Sequence, residues 1–526
     1  MAPDQRYKVR NILPGGIIPG PESPDNIESF LFPGLAHVSA LQKEGLQIWD
    51  AYDQEAVLSF IFLLLVLADS VAMAMLSGSV GHHGRKGCRL LCGLFGRNKV
   101  RGSHYFPALL RPDGFEDHRT SSHGDIKVTE LPDADPVQYK LDLDNVISSQ
   151  NPTEYTRRRF HSGISKPSIF GGIPRTLRLP TCFAGDLMHQ PVMNMANLFF
   201  DLWCARPDLR SPDSHSDWPW AVLTGDVWKE HGKVVVQAAK YLPTSFGRTP
   251  RNPQEKISSG YKAWEFLYYL YGEGPGVFFN VLPTLYYTHF CKLVRAIRLI
   301  YQRQISREQL ILAHKLLLEW CIEFEEHYYQ RKPERLHFVR SCVHSLTHLA
   351  KETYRLGPLS LSSQWTMERI IGVLGSQLRQ PSNPFANTAA NAQKMAHVNA
   401  MVAIWPSFEK APENPRGSLD LGDGYLLLRP ADESGPYDLT HEEKEALEIF
   451  GRGHQGYGGT DQEPVYRWGR LKLPTDQIAR SVWKELERCS DMARTDRNVK
   501  VLVSIRSTRV WLMRVVDFLS ECDPFC

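Results

Sequence analysis

The stretch AVLSFIFLLLVLA, from Ala56 to Ala68, is an almost unbroken apolar run that is followed directly by Asp69. Its thirteen residues fall short of the roughly 20 that a helix needs to span a bilayer, so we expect a buried central strand or a core helix. An acidic residue at the carboxyl end of such a strand lies where α/β sheets display their functional groups. The simpler alternative is that Asp69 ends the strand at a turn.

The composition indicates a soluble globular protein of one to three domains. Of the 526 residues, 42% are hydrophobic and 23% are charged, as in ordinary globular domains. The formal net charge is only +3, so a nucleic-acid partner would have to be held by local basic patches. The ten cysteines are spread thinly over the chain, and no apolar signal segment is found near Met1. We therefore expect reduced thiols in an intracellular protein.

A segment rich in Gly, His and Cys, GHHGRKGCRLLC, covers residues 81–92. Its His82, His83, Cys88 and Cys92 are of the residue types that bind zinc. The two cysteines are separated by three residues instead of the commoner two, and no second pair of Cys or His lies close behind. The spacing therefore favours a packed Gly-rich turn over a metal site.

Asp186 and His189 stand three residues apart, at the start of an apolar helical pattern that runs to Trp203. On a helix the two side chains would share one face. Capping of the helix by Asp186 is the simpler explanation of the acidic residue.

Residues 186–355 predict a mainly helical block, because apolar residues recur there at three- and four-residue spacing. Ser306, with Gln309 three residues later, fits a helix start. Beyond about residue 410 the chain turns to Pro, Gly and acidic residues, with a short strand expected at Tyr425–Leu428.

A further helix is expected over residues 364–379. Its predicted apolar face consists of Met367, Ile370, Ile371, Leu374 and Leu378. Glu368 falls on another row, with Trp365, Gly372 and Gly375. Because glycine weakens a helix, the two glycines predict the close approach of a backbone or a ligand. The equally open alternative is that Glu368 faces solvent and pairs with an arginine.

Several long strings occur in a fixed order after Asp69: GHHGRKGCRLLCG, GDLMH, EKISSGYKAWEFLYYLYGEGP and SSQWTMERIIGVLGSQLRQPSNPFAN. In this order the chain resembles the second half of a CACTA-type (En/Spm-like) DNA transposase of the kind found in mushroom-forming basidiomycete fungi. The resemblance runs from about residue 5 to about residue 500. It implies an α/β plus α protein, with an RNase H-like core that is interrupted by a large helical insertion.

In that family three acidic residues hold two divalent metal ions, Mg²⁺ or Mn²⁺, which activate water or a 3′-hydroxyl for attack on a DNA phosphate. The resemblance makes Asp69 the second of these catalytic, metal-binding residues and Glu368 the third. It also implies a set of accompanying motif residues: Asp186, His189, His82, Cys88, Cys92 and Trp365.

The chain also departs from the family pattern. The first catalytic Asp of the family lies in a Thr-Asp-Gly-Phe-Asn-Pro-like motif, and none precedes Asp69. The similar Asp113-Gly114-Phe115 comes after Asp69 and continues with Glu116. From about Val503 the resemblance ends. We therefore expect an N-terminally truncated, catalytically defective relative, with an incomplete RNase H-like core.

The resemblance divides the chain into five regions. These are a partial core (1–110), connecting loops (111–185), a helical insertion (186–355), a returning catalytic helix region (356–410), and a linker with a small C-terminal module (411–526). It implies DNA, as transposon ends, for a partner, the nucleus for a location, and a homo-oligomer as one assembly. The candidate phosphate contacts are Arg157, Arg158, Arg159, Arg85, Lys86 and Arg89, although such basic groups are also common on solvated surfaces.

Two other functions remain open at this point. In an active metal-dependent nuclease, Asp53 would join Asp69 and Glu368. In a non-enzymatic interaction or DNA-binding protein, the helices over residues 263–330 would present an exposed apolar patch.

Overall fold

The computed structural model describes residues 8–18, 20, 22, 24–206, 213–242, 247–378, 382–408, 413–428, 438–451 and 468–481. Over these residues the protein is a mixed α/β structure in which helices predominate and the strands form small antiparallel sheets. The helices are α1 (Ile27–Glu44), α2 (Ser70–Ser77), α3 (Pro136–Ile147), α4 (Pro152–Ser162), α5 (Met195–Trp203), α6 (Gly225–Ala238), α7 (Pro253–Lys256), α8 (Ala263–Phe266), α9 (Gly274–Val277), α10 (Thr284–Ile300), α11 (Arg307–Phe324), α12 (Ser341–Leu356), α13 (Trp365–Ser376), α14 (Pro384–Ile404) and α15 (His441–Gly451). The strands are β1 (Leu46–Asp50), β2 (Glu55–Ser59), β3 (Arg97–Asn98), β4 (Tyr105–Phe106), β5 (Leu419–Gly422), β6 (Tyr425–Leu427), β7 (Arg470–Lys472) and β8 (Ile478–Arg480).

The chain forms two compact units. The first consists of Met1–Trp228 and Lys262–Glu409, and the second of Lys229–Tyr261 and Lys410–Cys526. In the second unit, β5 to β8 form a four-stranded antiparallel sheet in chain order. The strand predicted near Tyr425 is confirmed as β6. The end of the family resemblance, near Val503, lies outside the described residues.

The apolar run 56–68 is neither a buried central strand nor a core helix, so that prediction is wrong. Its first part belongs to β2, which pairs with β1 in an antiparallel hairpin whose side chains are mostly exposed. In the remainder, Val66 is buried, whereas Phe62 and Leu64 are 52% and 47% exposed. Ile61, Leu63 and Leu65 are only half-buried, so Val66 is the one residue of this part of the run that is fully covered by a core.

That core is built on two extended segments that run parallel to each other. Leu63 bridges Thr176, and Val66 bridges Phe183. Val66 N–H donates to the Cys182 carbonyl at 2.9 Å. A cluster of buried side chains covers the pair on one side: Val66, Met73, Phe170, Cys182 and Phe183. Asp69 and Asp186 each follow a bridging residue by three positions, so both acids leave the same end of the parallel pair.

The helical block of the first unit is held by buried aromatic side chains. Trp203 of α5 packs against Phe290 of α10, with ring centroids 5.5 Å apart, and Phe199 packs against Trp320 of α11 at 6.1 Å. The predicted start of α11 is confirmed, since Ser306 and Gln309 form a reciprocal capping box. The block places α12 against the Gly-rich loop described below.

Buried hydrogen bonds of two charged residues, Arg97 and Glu325, fix residues 97–125 against the end of α11. The Arg97 guanidinium is fully buried and donates to five backbone carbonyls between residues 108 and 124. Glu325 accepts the N–H groups of Leu109 and Leu110 at 2.7 and 2.8 Å. Burial raises the pKa of Glu325 to about 7. These bonds fix the loop that follows the Gly-rich segment onto the helices.

Candidate functional site

Four metal-binding side chains converge where the Gly-rich loop meets α12. Cys88 and Cys92 come from the loop, and His344 and His348 lie one turn apart on α12. Cys88 Sγ is 3.3 Å from His348 Nε2, Cys92 Sγ is 3.3 Å from His344 Nε2, and the two Nε2 atoms are 3.1 Å apart. All four ligand atoms lie within 4.8 Å of one another. This Cys/His cluster has the arrangement needed to hold a metal ion.

The chemistry of the four donors fits a tetrahedral ion. Zinc, bound at about 2.3 Å to sulfur and about 2.0–2.1 Å to nitrogen, holds its ligand atoms roughly 3.3–3.8 Å apart, close to the spacing here. The hydrogen bond with the Cys92 thiol, together with the nearby imidazoles, lowers the pKa of Cys88 and favours its thiolate. Burial lowers the pKa of His344, which favours the neutral imidazole. Thiolate and neutral imidazole are the protonation states that bind metal.

The sequence did not reveal the second half of this cluster. The adjacent His82 and His83 are not part of it; they pack against each other, and His83 stacks on His104. The partners of the two cysteines are separated from them by 252 and 260 residues. The available signal was the spacing His344-x3-His348 in a helical pattern, which places both imidazoles on one face.

Asp69 caps α2. One carboxylate oxygen accepts the N–H groups of Val71 and Ala72 at 2.9 and 2.8 Å. This contact agrees with the simpler of the two expectations for Asp69, in which the acid ends the extended segment at the turn into the next element. The carboxylate also acts on His189, whose pKa it helps to raise.

Asp186 is buried and heavily hydrogen-bonded. Its Oδ2 accepts the backbone N–H of His189 at 2.8 Å and lies 2.6 Å from His189 Nδ1, while its Oδ1 accepts Gln364 N–H at 2.8 Å. Burial alone would raise the pKa of Asp186, but the bonds from His189 and Gln364 hold it below its usual value. Asp186 therefore caps the turn that contains His189, as the simpler expectation had it, and its side chain also lies against that of His189, as the helical spacing predicted.

Glu368 lies on the first turn of α13, with an exposed side chain. The bond from Gln364 to Asp186 anchors the start of this helix, and Trp365 is hydrogen-bonded to Tyr301. The pKa of His189 is raised first by its bond to Asp186, and further by the charges of Asp69 and Glu368. Asp186 thus contacts His189 directly, whereas Asp69 and Glu368 are exposed and act on this imidazole through their charges.

The faces of α13 differ from those predicted. Ile370 and Leu374 are buried, but Met367 and Ile371 are 43% and 59% exposed. No other atom lies within 4 Å of a Cβ added at Gly372 or Gly375, so the predicted close approach is not observed. The helix therefore packs against its core through Ile370 and Leu374, which are fewer residues than the predicted apolar face contained.

The three acids do not fit a two-metal site as they stand. Among the described residues, the Cys/His cluster is the one group of three or more His, Cys, Asp or Glu side chains whose ligand atoms lie close enough together to hold a metal ion. Both oxygens of Asp186 are already bonded to protein. Asp53 lies in the exposed β1–β2 turn, and it is not among the groups that raise the pKa of His189.

A buried ion pair links the Cys/His cluster to the acids. Arg89, next to Cys88, pairs with Glu352, one turn beyond His348 on α12, and the two side chains are 11% and 2% exposed. Glu352 also accepts Gly185 N–H at 3.2 Å. A Cβ at Gly185 would lie 2.5 Å from Arg89 Nη2. A side chain at this position would therefore force the paired ends of Arg89 and Glu352 to shift.

The candidate phosphate contacts occupy different environments. Arg157 and Arg159 are exposed on α4, whereas Arg158 pairs with Glu154. Lys86 and Arg85 are partly buried, and Arg85 lies over the ring of Phe95 at 4.5 Å. Arg89 is committed to its ion pair. Arg157 and Arg159 are therefore the best placed of the six to meet DNA.

No protein-family model matches this sequence, and no curated protein matches it. No helix among the described residues is long and apolar enough to cross a membrane.

Proposed function

We propose that this protein is a transposase-related DNA-binding protein that does not cleave DNA by itself. The observation that carries the proposal is that Asp69, Asp186 and Glu368, from distant parts of the chain, all act on His189. Asp186 does so by direct contact, and the other two do so through their charges. Two of the acids leave the same end of a parallel pair of segments, which is where α/β folds display functional groups. The third arrives on a helix that follows the helical block. This arrangement supports an RNase H-like core interrupted by a helical insertion.

The same geometry supports the loss of cleavage. His189, whose pKa is raised, contacts Asp186 and compensates its charge, and Asp186 has no oxygen left without a protein partner. Mg²⁺ needs several free oxygen ligands in near-octahedral geometry. We therefore assign no catalytic step to Mg²⁺ or Mn²⁺ in this chain.

We further propose that the Cys/His cluster binds a structural zinc ion. All four positions are taken by protein ligands, as in structural zinc sites. Cys88, Cys92, His344 and His348 would hold the ion, which would cross-link the Gly-rich loop to α12.

DNA binding is tested by fluorescence anisotropy with duplex DNA between 50 and 200 mM salt. We expect affinity to fall steeply with salt, and the double substitution of Arg157→Gln with Arg159→Gln to reduce the log–log slope by about 2. Lys315→Gln, which alters a 70% exposed lysine on α11, serves as the control and should leave the slope unchanged. Binding that is indifferent to salt would refute the proposal.

Cleavage is tested on supercoiled plasmid with Mg²⁺ or Mn²⁺. We expect no nicking above the background of a mock preparation. Metal-dependent nicking that Glu368→Gln abolishes would show an active nuclease and overturn the second part of the proposal.

A non-enzymatic interaction protein is the second candidate, and one feature favours it. An open groove of about 590 Å³ with a mainly apolar lining runs between α11 and α12. Ile311 and Tyr354, which line it, are 61% and 79% exposed. The salt titration separates the two candidates, because a purely protein-binding surface predicts no DNA affinity.

A further inference from the structure

The β1–β2 hairpin and the residues that follow it carry a large exposed apolar surface. We refer to residues 46–64 as the hairpin surface. Six of its apolar side chains are between 42% and 93% exposed: Trp49, Tyr52, Leu58, Phe60, Phe62 and Leu64. Single exposed apolar residues are common on soluble proteins, but a concentration of them in one segment marks an interaction site.

The exposed area is large enough for a specific interface. An aromatic side chain has about 150–250 Å² of surface, so the four aromatic side chains of the hairpin surface together expose roughly 500 Å². Two partners that each cover such an area bury about 1,000 Å² in total, which is the least that a specific interface between proteins needs.

The backbone of the hairpin is open as well. Within the described part of the chain, β1 and β2 pair only with each other, so each strand has one edge without a partner strand. Soluble proteins protect such edges with lysine, proline or a β-bulge. Neither strand contains lysine or proline, and the residue pairs of the hairpin follow one another without a bulge. The free edges can therefore pair with a further strand.

The charge of the hairpin surface argues against a nucleic acid or a lipid surface as its partner. Residues 46–64 contain no Lys, Arg or His, and their acids, Asp50, Asp53 and Glu55, lie in or beside the hairpin turn. Nucleic acids and anionic lipids are both held by clusters of Lys and Arg. The chemistry of this surface therefore fits a protein.

A second copy of this chain fits all of these features. In a two-fold symmetric dimer the same surface lies on both sides of the interface, and an apolar surface is complementary to itself. A two-fold axis between equivalent edge strands sets them antiparallel in one sheet, so the acids of the two hairpin turns lie at opposite ends and do not repel each other. We propose that the hairpin surface binds the hairpin surface of a second copy, so that the protein is a dimer. This dimer does not depend on the proposed DNA binding.

Sedimentation equilibrium of the full chain, from about 1 to about 100 µM, tests the proposal. We expect the wild type to be a dimer at the upper end of this range. Trp49→Glu and, separately, Phe62→Lys replace an aromatic contact with a charge. Each should weaken dimerisation by about thirtyfold or more, as the loss of an interface hot spot predicts. Leu141→Glu, which places a charge at a 59% exposed residue of α3, is the matched control and should dimerise like the wild type.

The two test residues are 60% and 52% exposed in the single chain, so their substitution should leave its fold intact. Circular dichroism of each variant checks this, and either variant decides the test if the other does not fold. The inference is overturned if the wild type remains a monomer at every concentration, since the surface would then serve a different partner. It is also overturned if a folded Trp49→Glu or Phe62→Lys dimerises as tightly as the wild type.

Hydrogen exchange of the wild type locates the contact without any substitution. The backbone amides of residues 46–64 should exchange more slowly at high than at low protein concentration, because the dimer covers them. Those of α3 should exchange at the same rate at both concentrations. A concentration effect that is confined to other parts of the chain would show that the dimer uses a different surface, and would overturn the inference.

Discussion

Disruption of the Cys/His cluster is predicted to remove a bound metal ion and to destabilise the first unit. The ligands join the Gly-rich loop to a helix more than 250 residues away, so a bound ion stabilises the folded state and not the unfolded chain. An ion present at 100 times its dissociation constant adds about 2.7 kcal/mol. Unfolding entropy is about 2.1 cal/mol/K per residue, and the first unit spans Met1–Trp228 and Lys262–Glu409. The expected fall in Tm is therefore roughly 3–4 °C.

The measurement has two parts. Elemental analysis of the purified protein should find one zinc ion per chain, and a chelator should remove it together with the stated fall in Tm. Cys92→Ser should abolish the metal content and reproduce the lower Tm. Cys204→Ser, at a half-buried free thiol outside the cluster, should change neither quantity by a comparable amount. A protein that contains no zinc, and whose Tm does not respond to added zinc, would refute the assignment.

Two further predictions concern buried charge. Glu352→Gln leaves the Arg89 guanidinium buried without its counter-charge, and should lower the free energy of unfolding in urea by about 3–5 kcal/mol. Lys351→Gln, in an exposed pair, should cost under about 1 kcal/mol; equal losses in the two variants would contradict the assignment. Burial lowers the pKa of His289 to about 3, so between pH 6.5 and 3 the unfolded chain takes up a proton that the folded chain does not, and stability falls as pH falls. From pH 7 to pH 5 this one group lowers the free energy of unfolding by about 2 kcal/mol. On the same acidification the free energy of unfolding of His289→Phe should therefore fall by about 2 kcal/mol less than that of the wild type. An equal fall in both proteins would show that His289 is not the responsible group.

Local features could be predicted from the sequence wherever the determining contacts are local. The helix start at Ser306 depends on a residue three positions away, and both capping bonds are present. The same holds for Asp186 and His189. The sequence predicted that the two side chains lie on the same side or that Asp186 caps the following turn, and both contacts are present. In each case the partner lies within one helical turn, so the order of residues is enough to specify the contact.

Features that depend on distant partners could not be predicted in this way. Hydrophobicity alone suggested that the run 56–68 is fully buried. Burial also depends on which other segments of the chain cover each residue, and Phe62 and Leu64 are left 52% and 47% exposed. The Cys/His cluster could not be predicted because each half alone, Cys88 with Cys92 or His344 with His348, supplies only two of its four side chains. Four ligands exist only after folding brings α12 to the loop.

One face of α12 contacts both the Cys/His cluster and the segment that carries Asp186. His344, His348 and Glu352 follow one another at intervals of four, so they lie in a row on that face. The first two belong to the Cys/His cluster, and the third contacts Gly185, the residue before Asp186. Asp186 in turn accepts Gln364 N–H at the start of α13, which carries Glu368. A metal ion bound in the Cys/His cluster would hold α12 against the Gly-rich loop. Through these hydrogen bonds it would also hold Asp186 and the start of α13 in place, although no ligand of the cluster is itself one of the acids.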